Sequence, residues 1–365
     1  MDERAGWIID PDTLDPTLTD RRVVQATLTH ASPTDRLFLL ALLGDLDRAV
    51  AESDVLLADP DVRQDPWRVL LLTADLYRRR GDLEAAVRLH TGAWKYARSR
   101  SRQATTLQHI GKRYFRHGDD DRAASCFQLA LTMRRGFGDA DLVAGSQRAL
   151  ERVRQRLAYD AIVLAGGHGV RLGGAKASIP LAGWPLADHV LLAVSGASNR
   201  VLVGPRRIAL AEPVFCREQP AGAGPLAAIA EAAGRIRQPV VAVLAADLPF
   251  IGDALATLRT QLTGSSADAA VLVDTTGRSN YLAALWRTSA LLKALDALGD
   301  PANRPVRQLY AGRELVHVPD FDALGADVDT PADLRAAQER ISHRNPGQLP
   351  AALLAWPRLE LSAPS

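Results

Sequence analysis

The residues best suited to chemistry lie between Leu164 and Lys176, read as Leu-Ala-Gly-Gly-His-Gly-Val-Arg-Leu-Gly-Gly-Ala-Lys. Its five glycines, Gly166, Gly167 and Gly169 among them, let the backbone pass close to a phosphate chain and aim N–H groups at it. Arg171 and Lys176 can hold the phosphate charge that those amides leave unmet. Lysine is scarce here: of 44 basic residues only Lys95, Lys112, Lys176 and Lys293 are lysines. A lysine inside a glycine loop is therefore less expected by chance. The spacing matches neither the dinucleotide fingerprint nor the Walker loop. The plain alternative is a structural turn with a solvated lysine.

A second candidate is Asp247, which ends the apolar run Val241–Ala246 and is followed by Leu-Pro-Phe-Ile. A carboxylate at the end of a buried strand needs a partner. A magnesium ion would serve, because it favours one or two carboxylates plus substrate phosphate oxygens. The competing reading is a turn-capping aspartate. The segment 217–229, Arg-Glu-Gln-Pro-Ala-Gly-Ala-Gly-Pro-Leu-Ala-Ala-Ile, places Glu218 and Gln219 ahead of Gly224-Pro225-Leu226. That glycine-proline lead also makes an ordinary helix N-terminus. Asp329-Thr330-Pro331 reads the same way, with Asp329 or Thr330 as cap and Pro331 at the first helical position.

Short β-branched runs must carry these loops. Candidate strands are 160–164, 200–203, 239–245, 269–274 and 281–286, with helical patterns at 226–235 and 254–262. Strands alternating with helices imply an α/β fold with a mostly parallel sheet. Ligands bind such sheets at the carboxyl ends of the strands, where the glycine loop and Asp247 fall.

The chain before Tyr159 follows a different pattern. Gly44-Asp45-Leu46-Asp47-Arg48-Ala49-Val50 recurs from Gly81 and again from Gly118, at a constant spacing of 37 residues. Glycine suits the left-handed residue that ends a helix, and the aspartate after it can cap the next. One such helical pair cannot bury its own apolar face, so the pairs must stack. The segment from about Asp35 to Arg135 resembles a tetratricopeptide array of slightly long period. The expected divisions are an extension over 1–34, helical repeats over 35–157, an α/β domain over 158–343 and a Pro-rich tail over 344–365. The repeats form either a protein-docking surface or a spacer.

From Leu164 onward the motifs, taken in order, resemble those of the nucleotidyltransferases, and among them the molybdenum-cofactor guanylyltransferases. They comprise a strand ending in Leu-Ala-Gly-Gly, an arginine, a Gly-Gly pair and a lysine. Gly183-Trp184-Pro185-Leu186, a strand closed by Asp247-Leu248-Pro249-Phe250 and Asp327-Val328-Asp329-Thr330-Pro331 follow. The resemblance implies a Rossmann-like nucleotidyltransferase sheet, with Leu164, Ala165, Gly166 and Gly167 wrapping the nucleotide and Lys176 and Arg171 on its phosphates. It implies Asp247 as the Mg2+ ligand, a ribose contact at Glu218 or Gln219, and Gly224, Pro225 and Leu226 beside the base. It also implies that the segment 274–287 faces the acceptor; by charge alone, Arg278, Arg304 and Arg307 are candidates to meet an acceptor phosphate. Two features depart from the family pattern. One residue, Ala175, separates Gly-Gly from the lysine where two are usual, and Gln219 stands where an aspartate is usual.

The expected activity is transfer of GMP from GTP to molybdopterin with release of pyrophosphate. The alternatives are a CTP-using molybdopterin cytidylyltransferase or a sugar-phosphate nucleotidyltransferase. In a different class, the chain is a helical-repeat scaffold with a degenerate transferase domain. A formal charge of +2 argues against nucleic acid as partner. No apolar run is long enough for a membrane span, the opening Met-Asp-Glu-Arg does not read as a secretory signal, and Cys126 and Cys216 have no metal-ligand spacing. These features lead to the expectation of a cytoplasmic protein, with a possible protein partner through the repeats.

Overall fold

The computed structural model describes residues 6–166, 168–169, 174–206, 209 and 212–343. The expected Pro-rich tail, Gly167 and Arg171 lie outside these residues. The described chain divides into two compact units, one from Met1–Gly118 with Leu129–Arg152 and one from Asp119–Gln128 with Val153–Ser365.

The first unit opens with a hairpin of β1 (Trp7–Ile9) and β2 (Pro16–Leu18), antiparallel with Trp7 opposite Leu18. Helices α1 (Arg21–Leu28), α2 (Pro33–Leu43), α3 (Leu46–Ala58), α4 (Pro60–Gln64), α5 (Trp67–Arg80), α6 (Leu83–Tyr96) and α7 (Arg100–Arg116) follow. Two more, α8 (Asp120–Arg135) and α9 (Ala140–Leu157), have residues in both units.

The repeated glycines do what their spacing implies. Gly44, Gly81 and Gly118 have φ of 85°, 85° and 76°, a conformation that costs a side chain strain and glycine none. At the first two, the glycine N–H and the next N–H turn back onto the helix just ended: Gly44 N to Ala41 O, Asp45 N to Leu40 O, Gly81 N to Arg78 O and Asp82 N to Tyr77 O. The aspartates differ. Asp82 caps α6 through Ala85 N at 3.0 Å and Asp119 accepts from Arg122 N, but Asp45 makes no side-chain cap. Leu40 and Ala41 of α2, Ala49 and Val50 of α3 and Leu76 of α5 share one core. The second pair therefore closes the first, as stacking requires.

In the second unit a seven-stranded sheet runs in the order β13-β11-β12-β10-β3-β8-β9. Its strands are β3 (Tyr159–Leu164), β8 (Arg200–Val203), β9 (Val214–Cys216), β10 (Val240–Ala245), β11 (Ala269–Val273), β12 (Ser279–Arg287) and β13 (Leu315–Pro319). Between β3 and β8 lie two small ribbons, β4 (His168–Gly169) with β5 (Gly174–Ala175) and β6 (Pro180–Leu181) with β7 (Trp184–Pro185). Helices α10 (Leu186–Ala193), α11 (Pro225–Ala233), α12 (Leu255–Thr263), α13 (Thr288–Leu298) and α14 (Pro331–His343) complete the unit. Neighbours pair in parallel except β12, which is antiparallel to β10 and β11. The α/β expectation holds.

The expected strand at 200–203 coincides with β8, and four others fall within a residue or two of β3, β10, β11 and β12. The strands β9 and β13 were not foreseen. They are the sheet's two edges, short and partly exposed, so they lack the continuous apolar run of a central strand. The core joins Ile162, Val201, Val243 and Trp286 of the sheet to Leu226 and Ile229 of α11. Buried Asp160 aligns the strand starts by accepting from Asn199 N at 2.9 Å and Gln238 N at 2.9 Å. Among the described residues no helix is long and apolar enough to cross a membrane.

Candidate nucleotide and metal site

Parallel register brings three strand ends level. Leu164 pairs with Ala245 on one side and Val203 on the other. The chain leaving each strand then bonds to its neighbour: Ala165 N to Val203 O at 2.8 Å and Ala246 N to Leu164 O at 2.9 Å. The glycine loop leaves from β3, and Asp247 comes two residues after β10. Both therefore open on the carboxyl edge of the sheet, the position where α/β folds bind ligands.

The glycine loop is a ribbon, with His168 opposite Ala175 and Gly169 opposite Gly174. Gly166 is exposed, and Ala165 is buried beneath it. The ribbon delivers Lys176 at the start of a 3-10 turn over Lys176–Ser178.

Lys176 does not project into solvent as a loop lysine would. Its Nζ forms an ion pair with Oδ2 of Asp247 and another with Oδ1 of Asp329. The Lys176 and Asp247 side chains are only 15% and 14% exposed, so this is no weak surface pair of the screened kind. Burial works against the ammonium, but its hydrogen bonds to Asp247 and Asp329 outweigh that and raise its pKa above the ordinary lysine value. Asp247 Oδ1 is buried, with no hydrogen-bond partner among the described residues. A buried carboxylate oxygen left open is costly, and a cation could fill it.

For Asp329 the sequence left two roles open, helix cap or part of the site motif. The helix cap of α14 belongs to Thr330, whose Oγ1 accepts from Asp333 N, while Asp333 Oδ2 accepts from Thr330 N and Asp329 N. That reciprocal pairing is a capping box, and it leaves the Asp329 carboxylate for Lys176. The three-residue spacing of Thr330 and Asp333 was the signal that could have shown this. Val328 fixes the segment twice: its N–H donates to Asp247 O at 3.1 Å, and its side chain packs with Leu181, Leu186, Phe250, Ala337 and Ile341. Asp327 also joins the cluster. Burial, then a hydrogen bond with Asp329 and that residue's charge, push its pKa up. The sequence placed it in the motif without a role of its own.

The nucleoside side of the site is less sharply built. Glu218 is buried, and its Oε1 accepts from Gly222 N at 2.8 Å, so this carboxylate fastens its own loop. Gln219 is exposed. Gly224, with φ 94°, precedes Pro225 at the first turn of α11, and Leu226 is buried. Gly166 lies near Glu218: a Cβ added at Gly166 would stand 3.9 Å from Glu218 Oε1. Gly166 and Glu218 thus lie side by side.

Next to Asp327 is a cavity of about 480 Å³, lined among others by Asp274, Arg278, Asn280, Tyr281 and Phe321. Its walls are preset. Asp320 accepts from Leu324 N at 2.7 Å and Gly325 N at 2.8 Å, and Asn280 donates to Gly325 O. Of the three arginines considered for an acceptor phosphate, Arg278 lines this cavity; Arg304 and Arg307 are not among its lining residues.

A divalent cation fits these residues: two carboxylates already converge on one positive charge, and Asp247 has an oxygen to spare. Among the described residues no three His, Cys, Asp or Glu side chains form a ready metal cage. An ion here would draw further ligands from phosphate oxygens, as magnesium does.

Residues 161–318 match the MobA-like NTP transferase domain. The molybdenum cofactor guanylyltransferase of Rhodobacter capsulatus is 34% identical over 194 residues, covering 51% of this chain and 97% of that protein. Its counterpart in Bordetella petrii is 31% identical over 185 residues, covering 48% and 94%. Among solved structures, molybdopterin-guanine dinucleotide biosynthesis protein A from Archaeoglobus fulgidus is 24% identical. It covers 51% of this chain and 100% of its own, with a TM-score of 0.42.

Proposed function

Because the chain belongs to the MobA-like NTP transferase family, a family of nucleotidyltransferases, we propose that it transfers GMP from GTP to molybdopterin and releases pyrophosphate. The observation that carries this reading is the meeting of Lys176, Asp247 and Asp329 at the carboxyl edge of the sheet.

The acceptor phosphate attacks the α-phosphorus in line. A bond forms from acceptor oxygen to α-phosphorus, and the bond from α-phosphorus to the bridging oxygen breaks, leaving pyrophosphate. No covalent enzyme intermediate is required, so positioning and neutralisation of charge carry the catalysis. The glycine-loop amides and Arg171 hold the triphosphate. Lys176 turns from its carboxylates to the phosphates when nucleotide arrives. Asp247 and Asp329 would hold magnesium, which when bound offsets charge on the pyrophosphate. Glu218 keeps the 218–222 loop in shape, and exposed Gln219 offers an amide to the ribose. The acceptor approaches through the cavity beside Asp327, with Arg278 near its anionic end. The helical unit, tetratricopeptide-like in its repeat, supplies a docking surface.

The experiment is to incubate the purified chain with magnesium, molybdopterin and either GTP, CTP or ATP, following pyrophosphate. Release with GTP alone supports the guanylyl reading. Preference for CTP moves the activity to cytidylyl transfer, and no release with any of them makes the helical unit the working part.

A further inference from the structure

Within the helical unit, four cations from the C-terminal ends of two helices gather under one acidic turn. They are Arg78 and Arg79 of α5 and Lys112 and Arg116 of α7. The turn joins β1 to β2. Asp15 Oδ1 and Oδ2 accept from Arg78 at 2.6 and 3.0 Å, and Arg116 Nε lies 3.7 Å from Oδ2. Arg79 donates to Pro16 O at 3.4 Å, and Arg152 of α9 pairs with Asp12 at 2.6 Å.

This turn is held differently from the base of its hairpin. At the base, Trp7 and Leu18 pack on Val24, Leu39 and Leu42, an apolar anchor on α1 and α2. The tip depends on charge. Asp10 Oδ1 organises it by accepting from Asp12 N and Thr13 N at 2.9 and 2.7 Å. Leu14 is held at φ 60°, a left-handed conformation that strains a branched side chain. The cations also exceed the acids available to them. Buried Arg78 divides itself between Asp15 and Asp75, and Asp75 also pairs with His109. Half-buried Lys112 has no hydrogen-bond or ion-pair partner among the described residues, although Asp75 and Asp15 both act on its charge. Leaving a cation there without its own acid is costly, and the surface is more basic than its occupant is acidic.

We propose that the α5–α7 face is a receptor for an aspartate-bearing acidic segment of a partner protein, occupied in the free chain by its own Asp12–Asp15 turn. A partner with more carboxylates than the turn satisfies Lys112 as well as Arg78 and Arg116, and so displaces the tip while the apolar base stays in place.

The test uses the full chain and a fluorescein-labelled peptide copying residues 10–18, read by anisotropy. Asp15→Asn weakens the internal occupant, so that variant binds the peptide roughly tenfold tighter than the parent chain. Replacing the peptide's three aspartates by asparagine removes binding, and adding Arg116→Gln or Lys112→Gln to the chain weakens it. Equal binding of the acidic and neutral peptides, or no binding to Asp15→Asn, overturns the proposal. A second measurement needs no variant. Poly-L-glutamate added to the unaltered chain raises amide hydrogen exchange over residues 10–16, and unchanged exchange there overturns the proposal equally.

Discussion

The Lys176 ammonium is ion-paired to Asp247, the carboxylate proposed above to hold magnesium. The same ammonium neutralises Asp329. On the proposed function, lysine and a bound cation would compete for one pair of carboxylates, and the nucleotide would resolve that competition by giving the lysine phosphates to bind.

A Lys176→Met chain should therefore show two effects of opposite sense. Without nucleotide it binds Mn2+ more tightly than the parent, roughly tenfold, because two carboxylates lose their internal counter-ion. With all substrates present its kcat falls by about 100-fold, the scale of losing one preorganised charge contact. Spin-resonance titration of free Mn2+ reads the first and pyrophosphate release the second. A fall in both metal affinity and turnover would contradict the competition.

The neighbours Asp329 and Thr330 should separate cleanly. Thr330 caps α14 through Asp333 N, so Thr330→Ala lowers unfolding free energy by about 1 kcal/mol and changes turnover less. Asp329→Asn leaves the cap intact and acts on the metal dependence instead. Thermal unfolding beside magnesium titrations of rate distinguishes them, and the assignment fails if the two variants behave alike.

Buried histidine makes stability pH-dependent in a defined direction. Burial pushes the His90 pKa down to about 3, and neither ring nitrogen has a hydrogen-bond partner among the described residues. The unfolded chain takes up this proton near pH 6.5 and the folded chain does not. Stability from neutral His90 is present above that value and is lost as pH falls toward 3. His189 in the other unit, pushed down to about 4 by burial, acts in the same sense. Urea unfolding at several pH values should show a shallower acid decline for His90→Leu than for the parent. An unchanged slope would count against a neutral buried imidazole.

The repeat glycines give a prediction for the helical unit. Gly44 and Gly81 have open space where a Cβ would stand, so alanine at either position meets only backbone strain. Gly44→Ala and Gly81→Ala should each cost about 1 kcal/mol. Chemical denaturation of the single variants measures this, and two neutral substitutions would contradict the left-handed caps.

Much of the architecture was legible because period and punctuation carry it. The 37-residue return of Gly-Asp fixed the helix ends, and central strands such as β10 announce themselves by an unbroken apolar run. Asp247 was legible for the same reason, as a lone acid ending such a run. Edge strands β9 and β13 were not, since half-exposed residues on three to five positions resemble loop. Asp329 was left between helix cap and site residue because a carboxylate before Thr-Pro satisfies two physical roles equally well in one dimension. Only the tertiary approach of Lys176, set by Val328 bonding to Asp247 O, decides between them. Asp327 was legible only as a position in its motif, because its burial and its hydrogen bond with Asp329 arise in the folded chain. The excess of cations around Asp15 was likewise invisible, since it joins residues far apart in the chain.

The measurement that bears most directly on the central claim is calorimetric titration of the chain and of Asp247→Ala with GTP, CTP and ATP, each with magnesium. GTP should bind selectively to the parent chain, and magnesium-dependent affinity should be lost in Asp247→Ala. Undiminished GTP binding in Asp247→Ala, or no binding of any nucleotide to the parent, would contradict that claim.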